Sequence, residues 1–355
     1  MTIGIKGYGV YVPPYRIKVE EIVQTWVNSN PVFLHQMKNL KERAVCGFDE
    51  DVISMAVEAS KTALEMSTID PNDIGAIFFG SCTSPYAMKP VSTIVLEALG
   101  SPNNSYVGDV QFSGKSGTLA VQIGLALVGQ KLVKNALAIG SDNLGIHTEP
   151  SDSFEYPASA GAGAFVLGDE DLIAEIEGFT TYNSDTPDVY RLDGDRYLTR
   201  GGDAMVEAEV GLPLHVTNTV TSLLEKMGRK PKDFDYAVFH QTYGASPFVI
   251  GRSLGFEDSQ VAPSLISDEL GDTGASSVLV GLAKVLDQAK PGESILVASY
   301  GSGAGSDAFS IKVVDGISAV SRSLKVIDLI KAKTYINYAT YAKLDRKYQR
   351  ALGGE

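Results

Sequence analysis

The chain is poor in the residues that build metal sites and disulfide frameworks. Only two of its 355 residues are cysteine and only four are histidine. Cys46 and Cys82 lie in unrelated contexts, without the spacing typical of a zinc site or a disulfide-bonded scaffold. The sequence therefore predicts no structural metal and no disulfide.

Long hydrophobic runs and an excess of basic charge are also missing. The longest apolar run, around residues 119–128, falls well short of the roughly 20 residues that a membrane-spanning helix needs. The first residues read as a strand, "IGIKGYGVYV", and not as a basic and apolar leader. A net charge of −13 repels the phosphates of nucleic acids. We expect a cytoplasmic protein that binds neither membranes nor nucleic acids.

The one basic segment lies near the end of the chain. Residues 322–350 contain eight Lys or Arg against two Asp, with four interleaved Tyr. One interpretation is a solvated helix followed by an edge strand. The other is a docking surface for a protein partner, because Tyr and Arg often anchor interfaces.

The sequence contains an internal repeat. "PNDIGAIFFG" (71–80) resembles "PKDFDYAVFH" (231–240), and "GKSGTLAVQIGLALVGQ" (114–130) aligns without gaps on "GDTGASSVLVGLAKVLD" (271–287). In both copies a strand, a glycine-containing turn, a helix and a second strand follow one another, which predicts two βαβ-type halves with mostly parallel sheets. The helix after Gly117 is apolar on almost every side, so we expect it between two sheets.

These patterns predict a five-layer α/β/α/β/α sandwich made of two similar halves. We place the first half at residues 1–168, the second at 169–318 and a C-terminal tail at 319–355. The second half carries a polar insertion at 182–211, which has no counterpart in the first half. Insertions of this kind are typically lids, binding loops or dimer contacts.

The stretch "DVQFSGKSGTLA" (109–120) superficially resembles a phosphate-binding loop. Such a loop has four residues between its first Gly and Gly-Lys-Ser, whereas Gly108 leaves five, and these read as strand. We instead predict a buried strand over 106–112 that turns at Gly114 into a helix N-terminus. Free N–H groups there can activate a thiol or hold an oxyanion, but the turn carries no nucleophile.

Four strings, together with the repeat, resemble the thiolase superfamily and, more narrowly, archaeal-type 3-hydroxy-3-methylglutaryl-CoA (HMG-CoA) synthases. They are "GSCTSPYAMKP", "DVQFSGKSGT", "VFHQTYGASP" and "SYGSGAGSDAF", and the similarity spans nearly the whole chain. The resemblance implies a thiolase fold with two βαβαβαββ halves and a homodimer. It also implies coenzyme A thioesters as substrates and no tightly bound cofactor.

The chain departs from this family at four positions. By resemblance, Gly114 replaces the acyl-accepting cysteine, Cys82 the general-acid glutamate, Ala245 a lysine near coenzyme A, and Asp272 an asparagine. Only His240 is retained. The resemblance implies His240 and Cys82 as catalytic candidates and the following residues as substrate-binding candidates: Gly114, Lys115, Ser116, Asp272 and Ser302.

The retained and replaced residues each allow two interpretations. His240 either contacts a thioester carbonyl or only packs at the end of its strand. Cys82 either is a relocated nucleophile or an inert small residue, because it does not lie at the helix N-terminus. Ser113 and Ser116 flank the vacated position, and we expect them to make turn hydrogen bonds.

Loss of the thiol removes a covalent intermediate, and loss of the carboxyl removes a proton-transfer group. The main hypothesis is therefore a catalytically degenerate synthase-like subunit of a multi-subunit acyltransferase. It resembles the A subunit of 2,4-diacetylphloroglucinol acetyltransferase, which implies two partners, a cysteine-bearing thiolase-like subunit and an OB-fold/zinc-ribbon bridging protein. The alternative is an active acyl-CoA condensing or cleaving enzyme that uses Cys82, His240 or both. A third hypothesis is a binding module for coenzyme A thioesters.

Overall fold

The computed structural model describes residues 2–26, 38–186, 188–201, 210–320 and 324–348. The β-strands in these ranges are numbered in sequence order. They are β1 (Gly4–Tyr11), β2 (Tyr15–Lys18), β3 (Glu42–Val45), β4 (Ile74–Gly80), β5 (Tyr106–Val110), β6 (Asn135–Asn143), β7 (Ala160–Gly168), β8 (Ala174–Asn183), β9 (Val189–Tyr190), β10 (Thr199–Arg200), β11 (Tyr236–Phe239), β12 (Ser294–Ala298), β13 (Gly305–Val313) and β14 (Thr334–Tyr335).

The α-helices alternate with these strands, as the apolar spacing of the sequence predicts. None of the helices within the described ranges is long and apolar enough to cross a membrane. They are α1 (Val19–Val23), α2 (Val52–Ser67), α3 (Val91–Leu99), α4 (Ser116–Gly129), α5 (Leu212–Met227), α6 (Ser246–Ser253), α7 (Asp258–Val261), α8 (Ser267–Leu270), α9 (Ser277–Leu286), α10 (Val326–Lys331) and α11 (Tyr338–Leu344).

Nine strands form one mixed sheet in the order β11-β12-β13-β8-β1-β7-β6-β4-β5. The first half supplies β5-β4-β6-β7-β1, and the second supplies β11-β12-β13-β8 in the corresponding order. The two half-sheets join where Gly4 pairs with Glu175 and Ile5 with Ala174. The repeat predicted from the sequence is therefore confirmed, although the described part of the second half supplies four strands and the first half five. The prediction of mostly parallel sheets was wrong, because only three of the eight strand pairings described in this sheet are parallel. The division of the chain at residue 168 stays a prediction.

Helices α4 and α9 pack between the two half-sheets. A Cβ on Gly117 of α4 would lie 2.3 Å from the carbonyl oxygen of Ala275, so only glycine permits this approach. Leu125 of α4 and Val278 of α9 belong to one central core cluster. Helix α2 covers the first half-sheet and α5 the second, with separate core clusters beneath them. This arrangement confirms the five layers and the predicted position of the helix after Gly117.

Strand β5 differs from the prediction. It ends at Val110, before Phe112, and it forms the edge of the large sheet, where β4 is its one neighbour among the described strands. Tyr106 at its start is 53% exposed. The prediction of a buried strand was wrong because an edge strand has a neighbour on one side only.

The tail packs against the body of the chain. β14 pairs with β2 in a small sheet of order β14-β2-β3, so an edge strand is present as one interpretation predicts. Tyr338 and Tyr341 of α11 are buried in a cluster with Ile17. These two rings are therefore not free to anchor a partner, whereas Tyr335 and Tyr348 are exposed.

Candidate functional site

A cavity of about 390 Å³ lies where the two halves meet. Its walls come from the ends of β4, β6 and β11, from the turn before α4, and from the β9–β10 segment. Five of the residues predicted to act at the site line it: Cys82, Gly114, His240, Asp272 and Ser302.

The turn before α4 forms a tight elbow. Ser113 adopts a left-handed backbone conformation with φ of 46°, which costs a non-glycine residue of order 1 kcal/mol or more. A 3-10 turn over Ser113–Lys115 leads into α4. The Ser116 hydroxyl donates a hydrogen bond to the Ser113 carbonyl oxygen at 2.7 Å, as expected for a turn residue. Ser116 is fully buried and is not among the residues that line the cavity, and its contact with substrate stays a prediction.

Gly114 lies at the tip of the elbow and has no space for a side chain. A Cβ at this position would lie 2.6 Å from Cε1 of His240 and 2.6 Å from the carbonyl oxygen of Tyr300. Both contacts are shorter than real Cβ contacts, and the Tyr300 carbonyl belongs to the backbone. Residues from the second half thus occupy the space beside Gly114, the position that the resemblance assigns to an acyl-accepting cysteine.

His240 follows strand β11 and is 4% exposed. Its backbone N–H donates to the Ala298 carbonyl oxygen at 2.9 Å, which fixes the residue at the end of the strand. Its Nε2 atom lies 3.7 Å from Oδ1 of Asp272. Its Nδ1 atom is buried and has no hydrogen-bond partner within the described ranges. The same Asp272 oxygen accepts a hydrogen bond from the Gly274 N–H at 2.8 Å.

Asp142 lies behind the cavity wall and holds two of its residues, Cys82 and Thr83, and the sequence analysis missed it. This fully buried carboxylate, near the end of β6, accepts hydrogen bonds from the Ser81 hydroxyl (2.8 Å), the Cys82 N–H (2.9 Å), the Thr83 hydroxyl (2.6 Å) and the Ala275 N–H (2.7 Å). It therefore links the β4 end of the first half to the turn before α9 in the second half.

The Cys82 thiol lies 3.3 Å from Oδ2 of Asp142 and can donate its S–H to that oxygen. Burial raises the pKa of Asp142 above its usual value, against the effect of the donors around it. Burial, followed by the negative charge of Asp142, raises the pKa of the Cys82 thiol well above its usual value. Both effects disfavour the thiolate form of Cys82, which argues against an activated nucleophile at this position.

Lys115 is not among the residues that line the cavity, and its role in substrate binding stays a prediction. Its ammonium group lies 2.9 Å from Oδ1 of Asp307 and donates to Oδ1 of Asn183 at 2.8 Å. The Lys115 and Asp307 side chains are 4% and 0% exposed. The buried ion pair fastens the elbow to β13 of the second half.

The predicted insertion at 182–211 does contribute to the cavity, although residues 187 and 202–209 lie outside the described part. Tyr190 and Arg191 line one wall, and the Tyr300 hydroxyl donates a hydrogen bond to Asp188. His147 also lines the cavity and hydrogen-bonds through Nδ1 to the Arg196 carbonyl oxygen at 2.8 Å. Burial lowers the pKa of His147 below its usual value, which favours a neutral imidazole. Across the described ranges, no group of three or more acidic, His or Cys residues could hold a metal ion.

Comparison with known proteins establishes the family. The chain is 44% identical over 354 residues to the hydroxymethylglutaryl-CoA synthase of Methanosarcina acetivorans, which covers 99% of this chain and 100% of the relative. The corresponding synthase of Methanocaldococcus jannaschii is 43% identical over 345 residues, covering 97% and 99%. The chain belongs to the hydroxymethylglutaryl-CoA synthase family.

Solved structures confirm the thiolase-type fold of this family member. An HMG-CoA synthase complexed with CoA matches with a TM-score of 0.87 at 18% identity, covering 97% of this chain and 90% of that one. MvaS in complex with 3-hydroxy-3-methylglutaryl coenzyme A gives 0.86 at 18% identity, covering 97% and 91%. The C-terminal domain of 3-oxoacyl-[acyl-carrier-protein] synthase III matches residues 224–313.

The main hypothesis from the sequence is therefore wrong. Relatives that match almost the whole of this synthase-family chain are themselves hydroxymethylglutaryl-CoA synthases, which contradicts a degenerate, noncatalytic acyltransferase subunit and favours an active enzyme. Gly114 and Cys82 replace the expected catalytic residues, but the structure adds the Asp142 carboxylate beside Cys82 and places the Asp272 carboxylate beside His240.

Proposed function

We propose that the chain is an active enzyme that forms or cleaves a carbon–carbon bond in acyl-coenzyme A substrates of the hydroxymethylglutaryl-CoA synthase type. The observation that carries this proposal is the cavity between the two halves, where His240, Cys82 and Asp272 lie together beside the elbow. We propose His240 as the catalytic residue, and Cys82, Gly114, Asp272 and Ser302 as parts of the substrate-binding wall.

The nature of the cavity supports a coenzyme A thioester as substrate. Two proteins of the same fold were solved with CoA and with 3-hydroxy-3-methylglutaryl coenzyme A, respectively. The wall near the elbow combines apolar surface with a few polar groups, which is typical of small-molecule sites. In the proposed reaction the coenzyme A thioester is itself the activated acyl group, so no tightly bound cofactor takes part.

A turnover assay tests the proposal. The purified chain is incubated with acetyl-CoA and acetoacetyl-CoA, and formation of a 3-hydroxy-3-methylglutaryl product, or its cleavage, is followed by liquid chromatography and mass spectrometry. We expect turnover that falls about 100-fold or more in His240→Asn, because proton-transfer groups typically contribute 10² to 10⁴ in rate. Asp258→Asn, on the surface, is the matched control. Absence of turnover in both directions would refute the proposal.

Intact-mass measurement then assigns the part played by Cys82. A wild-type chain incubated with acetyl-CoA acquires an acetyl adduct only if a side chain accepts the acyl group. Loss of an adduct in Cys82→Ser would identify the thiol as nucleophile. Turnover without any adduct would assign proton transfer to His240 and leave Cys82 in the substrate-binding wall.

We further propose that the chain forms a homodimer. Strand β5 is the exposed edge of the large sheet, and exposed edges offer unpaired backbone groups to a second chain. Light scattering on the protein as it elutes from a sizing column measures the mass directly.

Three further expectations stay predictions. They are the cytoplasmic location, the finer likeness to the A subunit of 2,4-diacetylphloroglucinol acetyltransferase, and association with a thiolase-like subunit and an OB-fold/zinc-ribbon bridging protein. Co-purification from the native host tests the association.

A further inference from the structure

We propose that His147 is a ligand-binding residue of the cavity, and that its Nε2 atom accepts a hydrogen bond from a hydroxyl group on the acyl chain of the bound thioester. Lys347 of the C-terminal tail is the positioning residue. The inference rests on the proposed function and adds a specificity-determining contact to it. It follows from one juxtaposition, in which the His147 ring lines the cavity while its Nδ1 atom is engaged by the Arg196 carbonyl oxygen.

The hydrogen bond at Nδ1 determines where the neutral imidazole carries its proton. A backbone carbonyl accepts hydrogen bonds and cannot donate them, so Nδ1, 2.8 Å from the Arg196 oxygen, is the protonated nitrogen. Nε2 then holds the lone pair. Burial lowers the pKa of His147 against the effect of the carbonyl, and the nearby positive charges, those of Arg191, Lys347 and Arg196, lower it further. The form with a hydrogen-bond acceptor at Nε2 is therefore favoured.

The Nε2 atom is open to a ligand. No side-chain or backbone group of the described ranges forms a hydrogen bond with it. The ring is only half-buried, and Nε2 is not one of the buried polar atoms without a partner, so this nitrogen keeps accessible surface. Because the ring lines the cavity, a group that enters there can reach Nε2.

The chemistry of the cavity indicates which group this acceptor binds. A lone pair requires a donor, and the carbonyl group of a thioester offers none, whereas a hydroxyl group on the acyl chain does. The three nearby cations disfavour an ammonium group as the donor. Leu144, Phe154 and Leu198 also line the cavity and suit the alkyl part of such a chain. The ligand class is therefore a hydroxyacyl thioester.

The pantetheine arm of coenzyme A carries a hydroxyl group as well. We assign the contact to the acyl chain because His147 and the proposed catalytic residue His240 line one cavity, and the reacting acyl group has to lie near His240. The experiment below separates the two sources of the hydroxyl group.

The C-terminal tail holds the turn that carries His147. The Lys347 ammonium donates to the Gly145 carbonyl oxygen at 2.6 Å, to the Thr148 hydroxyl at 2.8 Å and to the Thr148 carbonyl oxygen. These partners flank His147 in the sequence. From the β9–β10 segment, the Leu198 N–H donates to the His147 carbonyl oxygen at 2.9 Å. A side chain that is already held in place loses less freedom when a ligand binds, so these contacts favour binding.

Binding measurements with a matched pair of thioesters test the contact. 3-Hydroxy-3-methylglutaryl-CoA carries the hydroxyl group and 3-methylglutaryl-CoA lacks it. Both dissociation constants are measured by calorimetry in chains that carry His240→Asn, so that turnover does not consume the ligand. We expect a preference of about 3- to 10-fold for the hydroxylated thioester, the range for one neutral hydrogen bond, and its loss on adding His147→Phe. Asp258→Asn is the surface control.

A tail variant tests the positioning role. Lys347→Met removes the ammonium from the turn, and we expect a smaller preference for the hydroxylated thioester. The dissociation constant for 3-methylglutaryl-CoA should stay unchanged, which also shows that the cavity remains folded. Lys343→Met, exposed on the tail helix α11, is the matched control. An unchanged preference in Lys347→Met would refute the positioning role.

The ¹⁵N NMR signals of the His147 imidazole provide a readout that needs no change at the ring or in the tail. We expect an unprotonated Nε2 in the free chain. Its signal should move on addition of 3-hydroxy-3-methylglutaryl-CoA and stay in place with 3-methylglutaryl-CoA. A proton on Nε2 in the free chain, or an equal response to both thioesters, would overturn the inference.

The binding data distinguish this inference from the proposed function. An unchanged preference in His147→Phe overturns the inference, and equal weakening of both thioesters does so too, because it places the contact on the coenzyme. If the wild-type chain still forms product in the turnover assay, the proposed function stands. A preference that depends on His147 in a chain without turnover does the reverse.

Discussion

The His240 imidazole lies so close to Gly114 that a Cβ on the glycine would be 2.6 Å from Cε1 of the ring. The Tyr300 carbonyl oxygen, equally close, belongs to the backbone and cannot swing away. Overpacking a filled site typically costs about 1 to 3 kcal/mol. We therefore expect Gly114→Ala to lower the free energy of unfolding by about this amount, measured by urea denaturation.

Gly129, the last residue of the helix that follows the elbow, provides the control. A Cβ there would meet only Ile3, at an ordinary 3.6 Å. We expect Gly129→Ala to be neutral or to stabilise by up to about 1 kcal/mol, because alanine favours helix more than glycine does. Equal stabilities of the two variants would show that the elbow has room for a side chain.

The thiols of the folded chain should react slowly. Burial raises the pKa of Cys46 and of Cys82 well above the usual value, and Asp142 adds its negative charge at Cys82. Because only the thiolate is nucleophilic, we expect reaction with Ellman's reagent near neutral pH to be about 10-fold or more slower than that of free cysteine. The Cys82→Ser variant keeps Cys46 alone, so comparison with the wild type shows which phase of the reaction belongs to which thiol. Rapid labelling of Cys82 near neutral pH would instead reveal an activated nucleophile.

Lys347 should impose a pH dependence on stability. Its ammonium is buried and donates to the Gly145 carbonyl oxygen at 2.6 Å and to the Thr148 hydroxyl at 2.8 Å, while burial lowers its pKa to about 8. In the unfolded chain the pKa returns to about 10.4. Between these values the unfolded state binds more protons than the folded state, so stability rises with pH across this window.

Urea denaturation near pH 7.5 and near pH 9.5 measures this effect, and we expect the wild type to gain about 2 kcal/mol relative to Lys347→Met. The variant has no group that titrates at this position, so its own change with pH serves as the reference. Parallel pH profiles for the two proteins would contradict the lowered pKa.

The buried Lys115–Asp307 pair predicts a large loss of stability when one partner is removed. Lys115→Met leaves the Asp307 carboxylate buried without its cation, which typically costs about 3 to 5 kcal/mol. Lys61→Met, which removes an exposed pair with Glu58, should change stability by less than about 1 kcal/mol. Addition of Asp307→Leu to Lys115→Met should recover part of the loss. Failure to recover would mean that the lysine acts through its packing.

Much of the fold follows from the sequence because it is encoded in local periodicity. The aligned segments 114–130 and 271–287 become equivalent central helices, and segments 71–80 and 231–240 become equivalent strands. The position of β5 was predicted incorrectly because "YVGDV" carries the same strand propensity at an edge as in the middle of a sheet. Which strands lie at the edge is decided by tertiary pairing.

The site was predictable only in part because its contacts join distant segments. Cys82, Gly114, His240, Asp272 and Ser302 follow the family motifs and do line the cavity. Asp142 belongs to no short motif. The sequence marks it only as an acidic residue two positions after the mostly apolar segment "NALAIG". A buried carboxylate there requires donors, which Ser81, Cys82, Thr83 and Ala275 supply.

Lys115 shows the opposite case. The family resemblance implied a role in substrate binding, but the ammonium contacts Asp307 on β13. The partner lies far away in the sequence, so no local pattern could reveal it. Likewise, the tail tyrosines looked like interface anchors by composition, whereas Tyr338 and Tyr341 both donate to the buried Glu155 carboxylate.

The two half-sheets meet through β1 and β8, and the cavity walls are divided between them. Neither half alone can therefore present a complete cavity. If the chain were cut between Gly168 and Ala174, the fragments would regain ligand affinity only on reassociation. Any ligand of the cavity would stabilise the complex of the two fragments, because it binds the reassociated fragments and neither fragment alone.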